Sequence, residues 1–290
     1  MKYLRLIRMK HWLKNCLVFL PLFFGGKIFD SKMLLEATIG FFVFSFSSSV
    51  VYINNDINDI EKDRKHPIKK KRSLASGEIS QKLAMIIEFC LLILALAMMI
   101  LLWYVYERNI FVFIIPVLYL ILNFLYSRGL KNVPIIDVVI LVSGFILRVM
   151  YGGVVTAVEV SKYLYLMVMF GAFYLGFGKR RNEIIKNGNV SRKVLKFYNK
   201  EFLDKNMYVC VSLAIISYAL WCIDPNTISR IGNDYIFWTI PLVMVIFQLY
   251  SLDIEGNSHG DPIEIVLNNK KLLVAIILYV LLMGGVLYLV

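Results

Sequence analysis

Apolar runs of roughly 20 residues, separated by short and strongly charged segments, set the pattern of this chain. Nine such runs can be marked, near 15–30, 33–54, 82–103, 109–127, 134–156, 162–180, 206–223, 235–252 and 271–290. A predominantly apolar stretch of ~20 residues is the length a helix needs to cross the hydrocarbon core of a bilayer. The pattern therefore predicts an all-α, polytopic membrane protein with about nine transmembrane helices. The first run is the weakest, because Pro21, Gly25 and Gly26 interrupt it.

Composition agrees with that reading. Hydrophobic residues make up 59% of the 290 residues, against ~45–50% in soluble domains, and the mean hydropathy is +0.69. A basic segment precedes the first run, but no small-residue cleavage site follows it, so that run is expected to be a retained helix and not a removed signal peptide. The formal charge of +12 is concentrated in a few loops. If the runs are threaded alternately through a membrane, 26 of the 32 Lys and Arg fall on the side of the N-terminus and five on the other, with Arg148 inside a run. This asymmetry predicts a cytoplasmic N-terminus in a plasma (inner) membrane protein. It also accounts for the basic balance without any nucleic acid partner, through the positive-inside pattern and anionic substrates. The long polar loops then share the cytoplasmic face, and the other face has short connectors. That suits an enzyme meeting a soluble substrate on one side better than a channel or transporter, which must build both mouths. Cys16, Cys90, Cys210 and Cys222 lack CxxC spacing and are read as packing thiols. Association into a homo-oligomer is left open.

The segment 54–67, NNDINDIEKDRKHP, ends the second run and leads into Lys69-Lys70-Lys71-Arg72 and Gly77. On a continuous helix Asp56, Asp59 and Asp63 would lie within a ~60° arc of one face. Three like charges there repel unless a cation sits among them. Carboxylates that leave room for phosphate oxygens suit Mg²⁺, so this segment is the candidate metal and phosphate site. A solvated loop with i, i+4 charge pairing is the alternative for such spacing alone.

Other polar groups stand at the edges of the runs or inside them. Arg8, His11, Trp12, Lys14 and Asn15 precede the first run, either as an interfacial anchor or as functional groups. Tyr126, Ser127, Lys131 and Asp137 lie around the start of the fifth run, with Arg148 further along it. Ionisable groups at membrane depth are costly unless they face a polar interior or a partner. Asp137 and Arg148 can share a helix face but stand ~16 Å apart along it, so each must meet a ligand or another helix. Tyr174, Lys179 and Glu183, with Arg180 and Arg181, close the sixth run, where Lys179 and Glu183 could pair within the helix. The aspartate segment and this cluster end runs on the same side, as two walls of one cavity would. Segment 258–264 reads as a turn with Asp261 as a plausible N-cap. His66 and His259 lack zinc-ligand spacing.

Asn55-Asp56-x-x-Asp59-x-x-x-Asp63-Arg64 at the end of a second run resembles the NDxxDxxxD signature of the UbiA superfamily of intramembrane prenyltransferases. A narrower match is carried by Trp12-x-Lys14-Asn15 with Pro21-Leu22-Phe23-Phe24, and by Asp63-Arg64-x-His66-Pro67-x-Lys69-x-x-Arg72 through Gly77. Tyr126-Ser127-x-x-Leu130-Lys131, Asp137, Gly144-Phe145-x-Leu147-Arg148 and Gly178-Lys179-Arg180 with Glu183 extend it. These resemble the decaprenyl-phosphate phosphoribosyltransferase branch of that superfamily. Ser73 departs from the proline common in the branch, and Lys179 to Glu183 replace the second aspartate-rich motif of ordinary UbiA enzymes. The resemblance implies one UbiA-like transmembrane domain, 1–290, with its helices around a central cavity open to the cytoplasmic side and laterally to lipid. It also implies transfer of 5-phosphoribose from 5-phosphoribosyl 1-diphosphate to a polyprenyl phosphate, for cell-envelope glycan precursor synthesis. Two phosphorylated substrates bring more anion than a prenyl diphosphate with a neutral aromatic acceptor, and fixed cations such as Lys179, Arg180 and Arg181 answer that need.

On this reading Asp56, Asp59 and Asp63 hold Mg²⁺ against the donor's diphosphate, and Asn55 orients a carboxylate or phosphate oxygen. Lys14, Arg64, Lys69, Arg72, Lys131, Arg148, Lys179 and Arg180 are the expected phosphate contacts. Tyr126 is a hydrogen-bond donor, and Asp137 and Glu183 complete the substrate-binding set. A lipid phosphate is already anionic, so no general base is required, and catalysis is expected to rest on positioning and electrostatics. An aromatic prenyltransferase using a polyprenyl diphosphate is the rival within the superfamily, and a transporter or lipid-handling protein the rival outside it.

Overall fold

Residues 2–65, 69–187, 192–256 and 262–289 are described by a computed structural model, and no strand occurs among them. The chain opens with α1 (Lys2–Leu6), a 3₁₀ run over Met9–Phe19 and α2 (Leu20–Phe24). The long helix α3 (Ser31–Asn58) and the short α4 (Ile60–Lys65) follow, then α5 (Gln81–Tyr104), α6 (Phe111–Arg128) and α7 (Ile136–Thr156). The remainder is α8 (Lys162–Asn187), α9 (Lys200–Ile223), α10 (Pro225–Ile231), α11 (Ile240–Glu255), α12 (Pro262–Asn268) and α13 (Lys270–Tyr288). His66, Pro67 and the turn around Ser258 to Asp261 lie outside the described residues.

The long helices start where the local chemistry says they should. Asp30, Ser80, Asn199 and Asn269 cap α3, α5, α9 and α13 by accepting a backbone N–H with their side chains, which satisfies one of the donors a helix start leaves unpaired. Their faces are set by period. In α5, Ala84, Leu91, Ala95, Met99 and Leu102 are buried, and Ile86, Phe89, Ile93, Leu96 and Ile100 are exposed on the opposite side. A helix apolar on both faces, with one of them uncovered by protein, is built to meet lipid.

Seven of the described helical stretches are long and apolar enough to cross a membrane: 31–58, 81–104, 111–128, 136–156, 200–223, 235–255 and 270–288. The two other expected spans differ for identifiable reasons. α8 has 26 residues, but its last third, from Lys179 to Asn187, is charged and polar, which lowers its mean hydropathy. The first run is not one helix. Arg8 takes a left-handed conformation (φ 52°), Pro21 sits at the start of α2, and Gly26 (φ 71°) ends it.

The chain divides into two compact units, residues 1–128 with 147–159, and residues 129–146 with 160–290. The first is organised on α3, whose Val43, Phe44 and Val51 pack with Ala95, Met99, Ile115, Tyr151 and Val155. Towards the end of α3, Val50 and Ile53 pack instead with Leu6, Leu74, Ile79 and Leu91. A Cβ on Gly152 would come within 2.1 Å of the Val18 carbonyl oxygen, so glycine is what admits the 3₁₀ run against α7. The second unit is organised on α8, with Tyr174 and Phe177 packed among Leu203, Met207, Tyr250 and Ile254. Among the four cysteines, all free, Cys210 and Cys222 are buried as packing thiols, whereas Cys16 and Cys90 are exposed.

Candidate functional site

In the first unit, α3 carries its polar end beyond the apolar core and then stops. Asn58 is its last residue, Asp59 leaves helical geometry (φ −105°, ψ 10°), and α4 restarts at Ile60. The three aspartates are therefore not stacked on one continuous helix face as the spacing predicted. Asp59 turns to Lys62 at 3.2 Å and is about one-third exposed. Asp56 and Asp63, both about 95% buried, converge instead. Arg72 Nη1 lies 3.0 Å from Asp56 Oδ1 and 2.7 Å from Asp63 Oδ2. Arg8 Nη2 donates to the same Asp56 oxygen at 2.5 Å, its guanidinium 4.6 Å from the ring centroid of Tyr52 one turn earlier in α3. Arg64 pairs with Glu61 on the exposed side of α4, away from this point of convergence.

Two carboxylate oxygens from different helices thus aim at one donor atom. Hard oxygens aimed at one point fit Mg²⁺, which takes one or two carboxylates and completes its shell with phosphate and water oxygens. Among the described residues no three His, Cys, Asp or Glu side chains gather into a ready-made cage. A cavity of about 300 Å³ opens beside Asp56, lined by Arg5, Arg8, Lys69, Lys71 and Arg72 with Leu6 and Ser73. Ser73 donates to the Lys2 carbonyl oxygen at 3.3 Å, a bond proline could not make; the departure at this position ties the N-terminal arm to the basic loop. Asn55 is held by Ser127, whose hydroxyl donates to Asn55 Oδ1 at 2.5 Å. Tyr126, next to Ser127, is half-buried.

Deeper in the same unit, Arg148 is 94% buried and finds protein partners. Its Nε donates to Asn15 Oδ1 at 2.7 Å and its Nη2 to the Tyr119 hydroxyl at 3.3 Å, with its guanidinium near the faces of Phe44 and Tyr119. Asn15 in turn donates to Ser45 Oγ at 3.0 Å. A network so satisfied is what a buried charge requires. Arg148 was expected to meet phosphate; its partners in the structure are internal, with Asn15 as the clamp that holds it. Trp12 is not a simple interfacial anchor, since its indole N–H donates to Ser49 Oγ at 3.0 Å. Lys14, on the same 3₁₀ run, is half-buried.

In the second unit the decisive residue is Asp137. The backbone of Ile135 has φ 69°, unusual for a β-branched residue, and its N–H is held by the Tyr198 hydroxyl at 2.6 Å. The same hydroxyl donates to Asp137 Oδ1 at 2.7 Å, and Arg180 Nε donates to Oδ2 at 2.6 Å. Burial first, and then the bond to Asp137, raise the Tyr198 phenol well above its ordinary range. Arg180 is fully buried and divided between Asp137 and Glu183 (3.0 Å), and Glu183 also meets Arg192 at 3.4 Å. Asp137, Arg180 and Glu183 were expected to touch substrate. In the structure they pair with one another, a framework that ties the start of α7 to α8. Arg181 pairs with Asp204, while Lys179, in the polar last third of α8, and Lys131, before α7, are half-buried.

Sequence reasoning left Arg8 open between anchor and functional group, and did not single out Arg5, Lys71 or Tyr198, or Ser73 as a tether. Basic clustering before the first run was the available signal for Arg8; nothing local marks Tyr198, which lies 61 residues from Asp137.

Comparison with known proteins joins these observations. The sequence profile described as the UbiA prenyltransferase family matches residues 16–257. The chain is 31% identical over 283 residues to the decaprenyl-phosphate phosphoribosyltransferase of Corynebacterium glutamicum, covering 96% of this chain and 84% of that one. It is 30% identical over 273 residues to a protein of the same name from Mycobacterium tuberculosis, covering 92% and 87%. Its fold is similar to that of a UbiA homolog from Archaeoglobus fulgidus bound to GPP and Mg²⁺, with a TM-score of 0.74 at 21% identity over 99% of each chain. The signature around Asp56, the all-helical fold and these likenesses have one reading: the chain belongs to the UbiA prenyltransferase family.

Proposed function

We propose that this enzyme transfers 5-phosphoribose from 5-phosphoribosyl 1-diphosphate to a polyprenyl phosphate, releasing diphosphate, at the cytoplasmic face of the plasma membrane. The observation that carries the reading is the cavity beside Asp56, where five cations face one buried carboxylate. A prenyl diphosphate with a neutral acceptor has little use for so many fixed cations once a metal is bound; a donor with a diphosphate and a separate 5-phosphate does. The relatives named as decaprenyl-phosphate phosphoribosyltransferases support the same choice.

Asp56 and Asp63 would hold Mg²⁺ through the oxygens that now meet Arg72, with Asp59 as the third carboxylate of the site. Bound there, the ion would neutralise the diphosphate and draw off the charge that grows on it as it leaves. Everything else falls to the chain. Arg72 and Lys69 orient phosphate oxygens, and Arg is suited to this by its planar fork. Asn55, held by Ser127, is assigned to orient a carboxylate or phosphate oxygen. Lys14 and Tyr126, both half-buried in the same unit as Asp56, are assigned to phosphate or ribose contacts. The bond from the anomeric carbon to diphosphate breaks, an oxygen of the lipid phosphate bonds to that carbon from the opposite face, and the electron pair leaves with diphosphate. The centre passes through oxocarbenium character. No proton has to be removed from the nucleophile, so the site needs no histidine or cysteine base.

The test is donor binding by the purified protein in lipid nanodiscs, with and without Mg²⁺. Phosphoribosyl diphosphate should bind at least tenfold more tightly with Mg²⁺, and Asp56→Asn should remove that difference. Equal affinity with and without the ion in the wild type, or tighter Mg²⁺-dependent binding of geranyl diphosphate, overturns the assignment.

A further inference from the structure

The N-terminal arm is built into the cavity wall by contacts that the reaction as described does not use. Leu6, 98% buried, anchors α1 among Val50, Ile53, Leu74 and Ile79. Ser49 donates to the Ile7 carbonyl oxygen at 2.8 Å, and Ser73 to that of Lys2 at 3.3 Å. Between these ties, Arg8 takes the left-handed backbone conformation (φ 52°, ψ 48°), which costs a non-glycine residue roughly 1–2 kcal/mol. A conformation of that kind persists where surrounding contacts over-determine it, commonly at ligand clamps. Here it turns the chain so that Arg5 and Arg8 line the same cavity as Lys69, Lys71 and Arg72.

The charge there is not internally balanced. Arg8 and Arg72 share Asp56, Arg72 also meets Asp63, and Arg5 stands 3.6 Å from the exposed Glu78. Lys71 lines the cavity with them, so these four cations stand against those three carboxylates. If Asp56 and Asp63 turn to a metal, Arg8 and Arg72 lose their partners at that moment and have guanidinium donors to give. A phosphate monoester, carrying about −1.5 to −2 at neutral pH, matches that release in charge and geometry.

We propose that Arg5 and Arg8 of the arm, with Lys71, form a subsite for a phosphate monoester adjacent to the metal-held diphosphate, and that Arg8 exchanges Asp56 for this phosphate when substrate binds. The inference rests on the reaction proposed above. The monoester is either the 5-phosphate of the donor or the phosphate of the lipid acceptor. Arg8 is a substrate-binding residue in this account, and Ser73 a positioning residue that holds the arm in reach.

The experiment measures direct binding of radiolabelled ribose 5-phosphate, and separately of a short-chain polyprenyl phosphate, to the full-length protein in nanodiscs of neutral lipid. Arg8→Gln, Arg8→Lys, Arg5→Gln and Lys71→Gln are compared with wild type. Arg5 and Lys71 are exposed, so their variants keep the test informative if Arg8→Gln fails to fold. Loss of a charged hydrogen bond should weaken binding roughly tenfold or more, with partial recovery in Arg8→Lys. A loss confined to ribose 5-phosphate assigns the subsite to the donor; a loss confined to the lipid phosphate assigns it to the acceptor. Wild-type affinity in all variants for both probes, or no binding of either probe by wild type, overturns the subsite. Binding that depends on the arm in a protein that transfers no ribosyl group leaves the subsite standing and removes the reaction; transfer with arm variants indistinguishable from wild type does the reverse.

Discussion

Removing the Arg180 guanidinium is the perturbation that most cleanly separates framework from substrate contact. Arg180 and Asp137 are both fully buried, with Nε 2.6 Å from Oδ2. With Arg180→Gln, Asp137 keeps the Tyr198 hydroxyl at 2.7 Å, but its charge is left uncompensated in the second unit. Removing one partner of a buried ion pair costs about 3–5 kcal/mol, which is a loss of roughly a hundredfold to several thousandfold in the folded-to-unfolded ratio. Asp137→Asn alone should cost less, because Arg180 keeps Glu183 as a carboxylate partner. The double variant Asp137→Asn/Arg180→Gln strands neither charge and should recover more than half of the loss, a coupling measurable by a double-mutant cycle. Reversible denaturation in mixed micelles, followed by tryptophan fluorescence, supplies the free energies. Stability within about 1 kcal/mol of wild type for Arg180→Gln, together with a tenfold or larger rise in the KM for donor, would refute the framework role and return Arg180 to the phosphate.

Three further outcomes follow from the geometry. Gly152→Ala should lower stability by about 1–3 kcal/mol or more, because its Cβ would meet the Val18 carbonyl at 2.1 Å, whereas Gly171→Ala, with nothing within 4 Å, should be neutral in the same denaturation assay. Asn15→Ala removes the acceptor of Arg148 Nε and should cost about 1.5–3 kcal/mol without changing the Mg²⁺ dependence of turnover. Asp59→Asn should leave stability within ~1 kcal/mol, since its pair with Lys62 is a surface one, while lowering Mg²⁺-dependent turnover at least tenfold; unchanged turnover would exclude Asp59 from the metal site.

Much of the helical layout is legible in the sequence because bilayer length and period act locally. The apolar runs are read from their length, whereas the caps at Asp30, Ser80, Asn199 and Asn269 were not singled out. The break at Asp59 is not legible that way: the spacing of the aspartates suits a continuous helix, and the pairing of Asp63 with Arg72 is made only in the folded chain. The same limit applies to Asp137. Its need for a partner follows from burial cost alone, but Arg180 and Tyr198 are 43 and 61 residues away, and only tertiary packing brings them together. Arg8 was visible as part of a basic segment, yet its turn toward Asp56 depends on a left-handed backbone that an arginine rarely adopts. The buried pair of Glu36 and Arg108 was hidden for the same reason, since each residue reads locally as the edge of a span.

The measurement that bears most directly on the central claim is transfer of label. Purified protein in nanodiscs is incubated with Mg²⁺, a polyprenyl phosphate and phosphoribosyl diphosphate labelled in the ribose, and the organic phase is counted. Labelled lipid that forms in step with diphosphate release, and that disappears with EDTA and with Asp56→Asn, is the predicted result. Absence of labelled lipid from a protein that instead couples a polyprenyl diphosphate to an aromatic acid would contradict it.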